Sequence, residues 1–291
     1  MGLPNPQPDP QTLINALLPP EMAQACENVG VVKANRDALA LLVLGILAGA
    51  FIAFCGMFST VVLSGSEALP WGVARLLAGL VFSLGLILVI IGGAELFTGD
   101  TLMVMAYASN KISLARLLRA WVLVYFGNIV GSLATVALVF ASGHYGYGGG
   151  LIGKTALAIA NSKAALPTMQ LLALAILCNV LVCLAVWMCF GARSITDKVM
   201  VIVPPIAAFV AAGFEHCVAN MYLLPFGLAI KLWADPSFWA HSGLSAGNYA
   251  ALTLDNILHN IAIATIGNLI GGSLLVGVVY WFVYLRPSLH R

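Results

Sequence analysis

The chain has 291 residues, of which 61% are hydrophobic and only 8% are charged, and its mean hydropathy is +1.00. Soluble globular domains carry about 25% charged residues, so this composition excludes a soluble domain and indicates an integral membrane protein. The net charge of +2 gives no reason to expect a nucleic-acid partner.

The N-terminal segment is polar and proline-rich, and it lacks the basic start and apolar core of a cleaved signal peptide. Apolar residues recur between residues 11 and 28, which predicts a helix lying along the bundle, interrupted by Pro19 and Pro20. We therefore divide the chain into three parts. They are an N-terminal helical segment (1–36), a six-helix transmembrane domain (37–285) and a C-terminal tail (286–291).

Apolar runs of about 20 residues or more mark membrane spans. The sequence contains six such runs, at about 38–63, 71–107, 114–141, 168–191, 199–230 and 256–285. The second and fifth runs are too long for one plain span. The stretch between the third and fourth runs, 143–167, is the longest glycine-rich connection.

The distribution of lysine and arginine predicts the orientation of the spans. Nine of these residues fall on the side of the termini: Lys33, Arg36, Lys111, Arg116, Arg119, Arg193, Lys198, Arg286 and Arg291. Four fall on the other side: Arg75, Lys154, Lys163 and Lys231. Because cytoplasmic loops carry the excess of positive charge, both termini are predicted to be cytoplasmic.

An internal repeat predicts the architecture. The third span contains GNIVGS (127–132), and the sixth contains GNLIGG (267–272). A Gly-x-Glu signal precedes each of them, at Gly93 to Glu95 and at Gly213 to Glu215. Each half has three spans, and an odd number forces the second half to run opposite to the first. We therefore predict an all-α membrane protein with six transmembrane helices in two inverted three-helix repeats.

The second and fifth spans are predicted to be broken by loops. Residues 92–101 hold three glycines, two β-branched threonines and the charged Glu95 and Asp100, all unfavourable inside a membrane helix. Non-helical backbone at that depth survives only inside protein or beside a water-filled cavity. The N-termini of the half-helices would favour an anion. The simpler alternative is a glycine kink that serves only close packing.

Polar residues beside the predicted breaks are the candidate functional groups. His216 is the strongest, because only histidine has an unperturbed pKa close enough to neutrality to exchange protons in a pore. Glu215 is expected either to orient His216 or to cap the second half-helix. Glu95 is expected to bond the N–H groups of its loop. Asn128 and Asn268, in the third and sixth spans, are expected to support the loops by hydrogen bonding.

The motifs GGAELFTG, GNIVGS, CNVLVCLAVWM, GFEHCVANM and GNLIGG together resemble the formate–nitrite transporter family over nearly the whole chain. The segments LLPPEMAQACENVGVVKANR and ARSITDKVM are most similar to its formate-channel branch. The resemblance implies an aquaporin-like fold and a homopentamer in which each protomer has its own pore. One departure is Gly99-Asp100: formate channels usually carry small neutral residues there, and the nitrite branch has a larger polar residue after glycine.

The resemblance also implies roles for individual residues. The implied substrate pathway comprises His216, Thr98, Leu96, Phe97, Phe82, Leu86 and Phe209. The implied group that tunes the central histidine comprises Lys163, Asn179 and Glu215. Lys33 matches a basic residue near the cytoplasmic mouth.

Together with the resemblance, these observations predict a proton-linked channel for a small monovalent anion in the bacterial inner membrane. Formate is the first candidate for that anion. The channel's partners would be protons and lipid, with no cofactor and no metal. The alternative on the same scaffold is a nitrite or hydrosulfide channel. A neutral-solute channel lacks support because the Asn-Pro-Ala pairs of aquaporins are absent from the sequence. An enzyme lacks support because no nucleophile–base motif or nucleotide-binding loop occurs.

Overall fold

In a computed structural model of the protein, residues 16–286 are described, and every regular element among them is helical. The helices are α1 (Pro19–Asn35), α2 (Ala38–Leu63), α3 (Trp71–Gly92), α4 (Phe97–Asp100), α5 (Val104–Ala108), α6 (Leu114–Ala141), α7 (Leu151–Ala164), α8 (Thr168–Gly191), α9 (Ile195–Ala211), α10 (Cys217–Trp233), α11 (Pro236–Ser242) and α12 (Leu254–Leu269). The last helix continues in π-helical turns over Ile270–Val278 and Trp281–Leu285. Most of the predicted tail lies outside the described residues.

Five helical segments of the described chain are long and apolar enough to cross a membrane. They are α2, α3, α6, α8 and the last segment, Ala246–Leu285. A sixth is obtained if α10 and α11, which meet at a bend of 101°, form one broken span. The protein is therefore an all-helical integral membrane protein, as its composition predicts.

Two segments outside the apolar runs contain helices. In the described residues α1 begins at Pro19 and Pro20, because proline lacks only an N–H that the first turn leaves free in any case. The connection 143–167 contains the 14-residue helix α7. The part of the predicted N-terminal helix that precedes residue 16 lies outside the described residues.

The breaks after α3 and α9 have the same backbone geometry. Each helix is followed by a glycine in the left-handed region, Gly93 at φ +77° and Gly213 at φ +76°. Three residues later an extended residue, Leu96 (φ −110°, ψ 121°) or His216 (φ −107°, ψ 117°), begins the next helix. Only glycine adopts the positive φ without a steric penalty, so each Gly-x-Glu signal marks the end of a helix.

Asn128 and Asn268 hold the two breaks in matching ways. The side-chain oxygen of Asn128 accepts from the Phe97 amide (3.0 Å), and that of Asn268 accepts from the Cys217 amide (2.9 Å). Each side-chain amide group also donates to the carbonyl of the glutamate at its break, Glu95 or Glu215. Free backbone groups at membrane depth are costly, so these bonds permit both breaks.

Close glycine contacts join helices within the single chain. A Cβ on Gly45 in α2 would lie 3.2 Å from the Cα of Gly127 in α6. A Cβ on Gly267 in α12 would lie 2.9 Å from the backbone oxygen of Leu172 in α8. Small residues allow such approaches between membrane helices. These contacts bring Asn128 and Asn268 within reach of the breaks.

Candidate substrate pathway

His216 lies at the start of α10, where the chain resumes a helix after the second break. Its side chain is 3% exposed. Its Nδ1 accepts a hydrogen bond from the Ala219 amide (3.0 Å), and its Nε2 lies 3.0 Å from Oγ1 of Thr98 in α4. Because a backbone amide can only donate, Nδ1 carries no proton in this geometry. The proton of the neutral ring is therefore on Nε2 and faces Thr98.

Three cavities border the two breaks. The Lys163 cavity, about 70 Å³, includes Arg75, Lys163 and His216 in its wall. The central cavity, about 10 Å³, also contacts His216. The Lys33 cavity, about 30 Å³, is lined by Lys33 and Asp100 and lies on the other side of the first break. The Lys163 and Lys33 cavities, which we call the two mouths, are thus lined by charged residues, and the central cavity is narrow.

The central cavity is apolar except for the histidine. Its wall consists of Ile52, Phe82, Leu86, Leu96, Val182, Ile206, Phe209 and His216. The rings of Phe82 and Phe209 meet edge to face with centroids 5.5 Å apart, and Phe209 stacks on His216 at 6.0 Å. An ionised solute would lose its hydration here without gaining a charged partner, which is far more costly than the same step for a neutral one.

At the Lys163 cavity, the Glu215 carboxylate pairs with Lys163 Nζ (2.7 Å) and accepts from Asn220 Nδ2 (2.7 Å). Asn220 also donates to Asn260, whose amide donates back to the Lys163 carbonyl (3.0 Å). Glu215 therefore neither caps the half-helix nor contacts the imidazole. The prediction that Glu215 caps the half-helix was wrong, because His216 caps the helix itself.

At the Lys33 cavity, four charged groups form one cluster. Lys33 Nζ lies 2.5 Å from Glu95 and 2.6 Å from Asp100, and Arg36 lies 2.7 Å from Glu95. Burial alone lowers the pKa of a lysine, but the two carboxylates hold the pKa of Lys33 above its ordinary value. Glu95 was expected to bond its loop amides. It instead joins α1 to the first break, so that prediction was wrong.

Two further predicted residues are displaced from their expected places. The Phe97 ring packs edge to face on Trp121 and Tyr125 (centroids 6.4 and 4.9 Å) and lines none of the Lys163, central and Lys33 cavities. Asn179 donates to the Thr98 carbonyl (3.2 Å) and to the Asn268 carbonyl (2.7 Å), so it supports the Thr98 loop rather than the histidine ring.

Sequence reasoning missed several residues of the pathway. Arg75 borders the Lys163 cavity and donates to the Val210 carbonyl (2.5 Å), at the end of α9. Arg36, Asn220 and Asn260 complete the two polar clusters. Isolated arginines and asparagines carry no motif, but Asn220 lies one helical turn beyond His216, a spacing that could have drawn attention to it.

Comparison with known proteins identifies relatives over almost the full length. The formate/nitrite transporter family profile matches residues 20–282. The formate channel FocA of Escherichia coli K12 is 44% identical over 276 residues, covering 94% of this chain and 97% of that protein. The formate channel FocA of Haemophilus influenzae is 41% identical over 264 residues, covering 90% and 93%. These relatives are channels by name and not enzymes.

Two solved structures match the fold. A pentameric formate channel with formate bound superposes with a TM-score of 0.81 at 48% identity, covering 85% of this chain and 98% of that one. An ion channel of the same family superposes with a TM-score of 0.74 at 30% identity, covering 90% and 98%.

Proposed function

The chain belongs to the formate/nitrite transporter family, and on that premise we propose that it conducts formate across the bacterial inner membrane. The observation that carries the proposal is the central cavity, which is apolar except for His216, with a lysine-lined cavity beside each of the two breaks. Nitrite or hydrosulfide is the alternative, because either is a small monovalent anion that can exist as a neutral acid.

The matching breaks support two inverted three-helix repeats that meet at the central cavity, with α1 and α7 as equivalent helices ahead of the two halves. The six spans are then α2, α3 with α4 and α5, α6, α8, α9 with α10, and α12 with its π-helical extension. The positive-inside distribution supports a cytoplasmic location for both termini and for the Lys33 cavity. The pentamer of the matched structure supports the same assembly here.

Passage as the neutral acid is the mechanism that the apolar centre favours. Formate would gather in the Lys163 cavity, where Arg75 and Lys163 attract anions. It would take a proton at His216, cross between Phe82 and Phe209 as formic acid, and ionise again in the Lys33 cavity. Neutralisation removes most of the desolvation penalty, which is the largest barrier to an ion on this path.

The hydrogen bond from the Ala219 amide to Nδ1 restricts how His216 can take up a proton. To become an imidazolium, His216 must take a proton on Nδ1, and the Ala219 amide then loses its acceptor. In the proposed cycle the neutral ring with its proton on Nε2 caps α10, whereas the charged ring and the neutral ring with its proton on Nδ1 do not. Donation from Nε2 of the charged ring to formate yields formic acid and a neutral ring. Transfer of the remaining proton to Nε2 restores the cap.

The choice of anion is tested by competition in proteoliposomes. Uptake of labelled formate is measured against increasing nitrite, hydrosulfide or lactate. We expect self-competition by formate at the lowest concentration and little effect of lactate, which is the larger anion. If nitrite or hydrosulfide competed more strongly than unlabelled formate, that anion and not formate would be the preferred substrate.

Thr98→Val is expected to slow formate uptake by about tenfold with little change in stability. Valine keeps the shape of threonine but cannot exchange a hydrogen bond with His216 Nε2, now 3.0 Å away. Thr135→Val is the control, because Thr135 bonds only within α6. Normal uptake in Thr98→Val together with a lowered melting temperature would make Thr98 a packing residue.

Mixed pentamers test whether each protomer conducts independently. Co-expression of wild-type chains with His216→Asn chains should lower the flux in proportion to the mutant fraction. Native mass spectrometry of the same samples gives both the subunit count and the mixing ratio. A single mutant subunit that silences the whole assembly would contradict independent pores.

A further inference from the structure

Asn220, on α10, has a buried oxygen without a hydrogen-bond partner. The residue is fully buried and borders the Lys163 cavity. Its side-chain nitrogen donates to Glu215 and to Asn260 (2.7 Å each), which uses both amide hydrogens. Its side-chain oxygen, Oδ1, has no partner among the described residues. An unpaired buried acceptor costs free energy, so this oxygen points to a ligand that brings a donor.

The other polar groups in the wall of the Lys163 cavity are mainly donors. They are Arg75 on α3, Lys163 on α7, His216 at the start of α10, and the hydroxyl groups of Ser59 and Thr60 on α2. Lys163 bonds Glu215, a carboxylate outside this wall, with one of the three N–H groups that an ammonium carries. A solute in this cavity therefore meets cationic donors and, at Asn220, an unpaired acceptor.

We propose that Asn220 Oδ1 accepts the O–H of the neutral acid in the Lys163 cavity, which makes Asn220 a substrate-recognition residue that selects formic acid over formate. The inference rests on the proposed function and deepens it. The formate anion has no proton to donate, and its oxygens would meet Oδ1 as acceptor against acceptor. The acid can donate to Oδ1 while its carbonyl oxygen accepts from Lys163. A contact made with the acid alone shifts the bound population toward the acid.

This contact completes the proton transfer proposed above. His216 borders both the Lys163 cavity and the central cavity. Transfer breaks the Nε2–H bond of the charged ring and forms the O–H bond of formic acid, which leaves the ring neutral. With Oδ1 as a second acceptor, the acid can turn its O–H away from Nε2 and leave the ring. A water needs about 10–15 Å³, so a cavity of about 70 Å³ has room for a molecule as small as formic acid.

The test is the equilibrium exchange of labelled formate in proteoliposomes, with saturating formate and the same pH on both sides. Every site then holds formate or formic acid, and the exchange rate follows the fraction present as acid. Asn220→Leu keeps the size of the side chain and removes Oδ1. We expect the pH of half-maximal exchange to fall by about one pH unit, which corresponds to a tenfold loss of preference for the acid.

Two further variants separate recognition of the acid from support of the fold. Asn260→Leu is the matched control, because Asn260 belongs to the same hydrogen-bonded cluster but does not border the cavity, so its midpoint pH should stay that of the wild type. Asn220→Ser is the milder variant, since a serine in a helix bonds the carbonyl four residues back and turns away from the cavity. It should reproduce the shift even if Asn220→Leu does not fold.

The inference and the proposed function fail in different ways. A midpoint pH that stays at the wild-type value in the folded Asn220 variants, even with slower exchange, would overturn the inference, because Asn220 would then support the fold or hold only a water. An equal shift in Asn260→Leu would also overturn it. A wild-type channel that exchanges no formate would instead overturn the proposed function.

Discussion

Replacing His216 with asparagine is expected to remove acid-stimulated formate uptake while leaving the fold intact. Asparagine is a good N-cap, and its side-chain oxygen can take the place of Nδ1 as the acceptor for the Ala219 amide. It is too short to reach Thr98, and it cannot take up a proton. Loss of a group that transfers a proton lowers rates by about a hundredfold or more, so we expect an effect of that size.

Formate uptake across a range of external pH in proteoliposomes measures this effect. His259→Asn is the matched control, because His259 is exposed on α12 and bonds only Thr168. The melting temperature of both variants in detergent should match that of the wild type. Acid-stimulated uptake that persists in His216→Asn would eliminate the histidine from proton transfer.

Lys163→Met is expected to destabilise the protein by about 3–5 kcal/mol, because it leaves the buried carboxylate of Glu215 without its charged partner. Asn220 would still donate one hydrogen bond to that carboxylate, but an amide does not balance its charge. Formate uptake should fall as well, since Lys163 borders the cavity in front of His216.

The double variant Lys163→Met with Glu215→Gln separates the two effects. Replacing both partners removes the unpaired charge, so most of the lost stability should return, whereas uptake should stay low. Lys154→Met, an exposed lysine on the same helix, is the control. If chemical unfolding gave Lys163→Met the same free energy of unfolding as the wild type, Glu215 would not be ionised in the folded protein.

The breaks could be predicted because their cause is local. Glycine at Gly93 and Gly213 is required by a positive φ, and a glutamate two residues later is conspicuous within an apolar run. The asparagines of the Gly-Asn motifs are also conspicuous, since an amide in a membrane helix needs partners. Sequence reasoning could therefore locate the breaks and the residues that line them.

The partners of the charged groups could not be predicted, because they depend on packing between distant segments. Glu95 meets Arg36, 59 residues away, only because α1 lies against the first break. Glu215 meets Lys163, 52 residues away, because the last turn of α7 carries the lysine there, and only the family resemblance had grouped these two residues. The Phe97 ring lies against α6 because it packs there on Trp121 and Tyr125. Which of several possible partners a side chain contacts depends on the packing of distant segments, and no periodic pattern in the sequence indicates it.

The most direct measurement of the central claim is the number of protons that enter with each formate. Proteoliposomes that contain a pH-sensitive dye give the proton flux, and labelled formate in the same vesicles gives the anion flux. Passage as the neutral acid predicts about one proton per formate at every external pH, with no accompanying electrical current. Formate uptake that acidifies nothing and carries a matching negative current would contradict the account, because the ion itself would then cross the apolar centre.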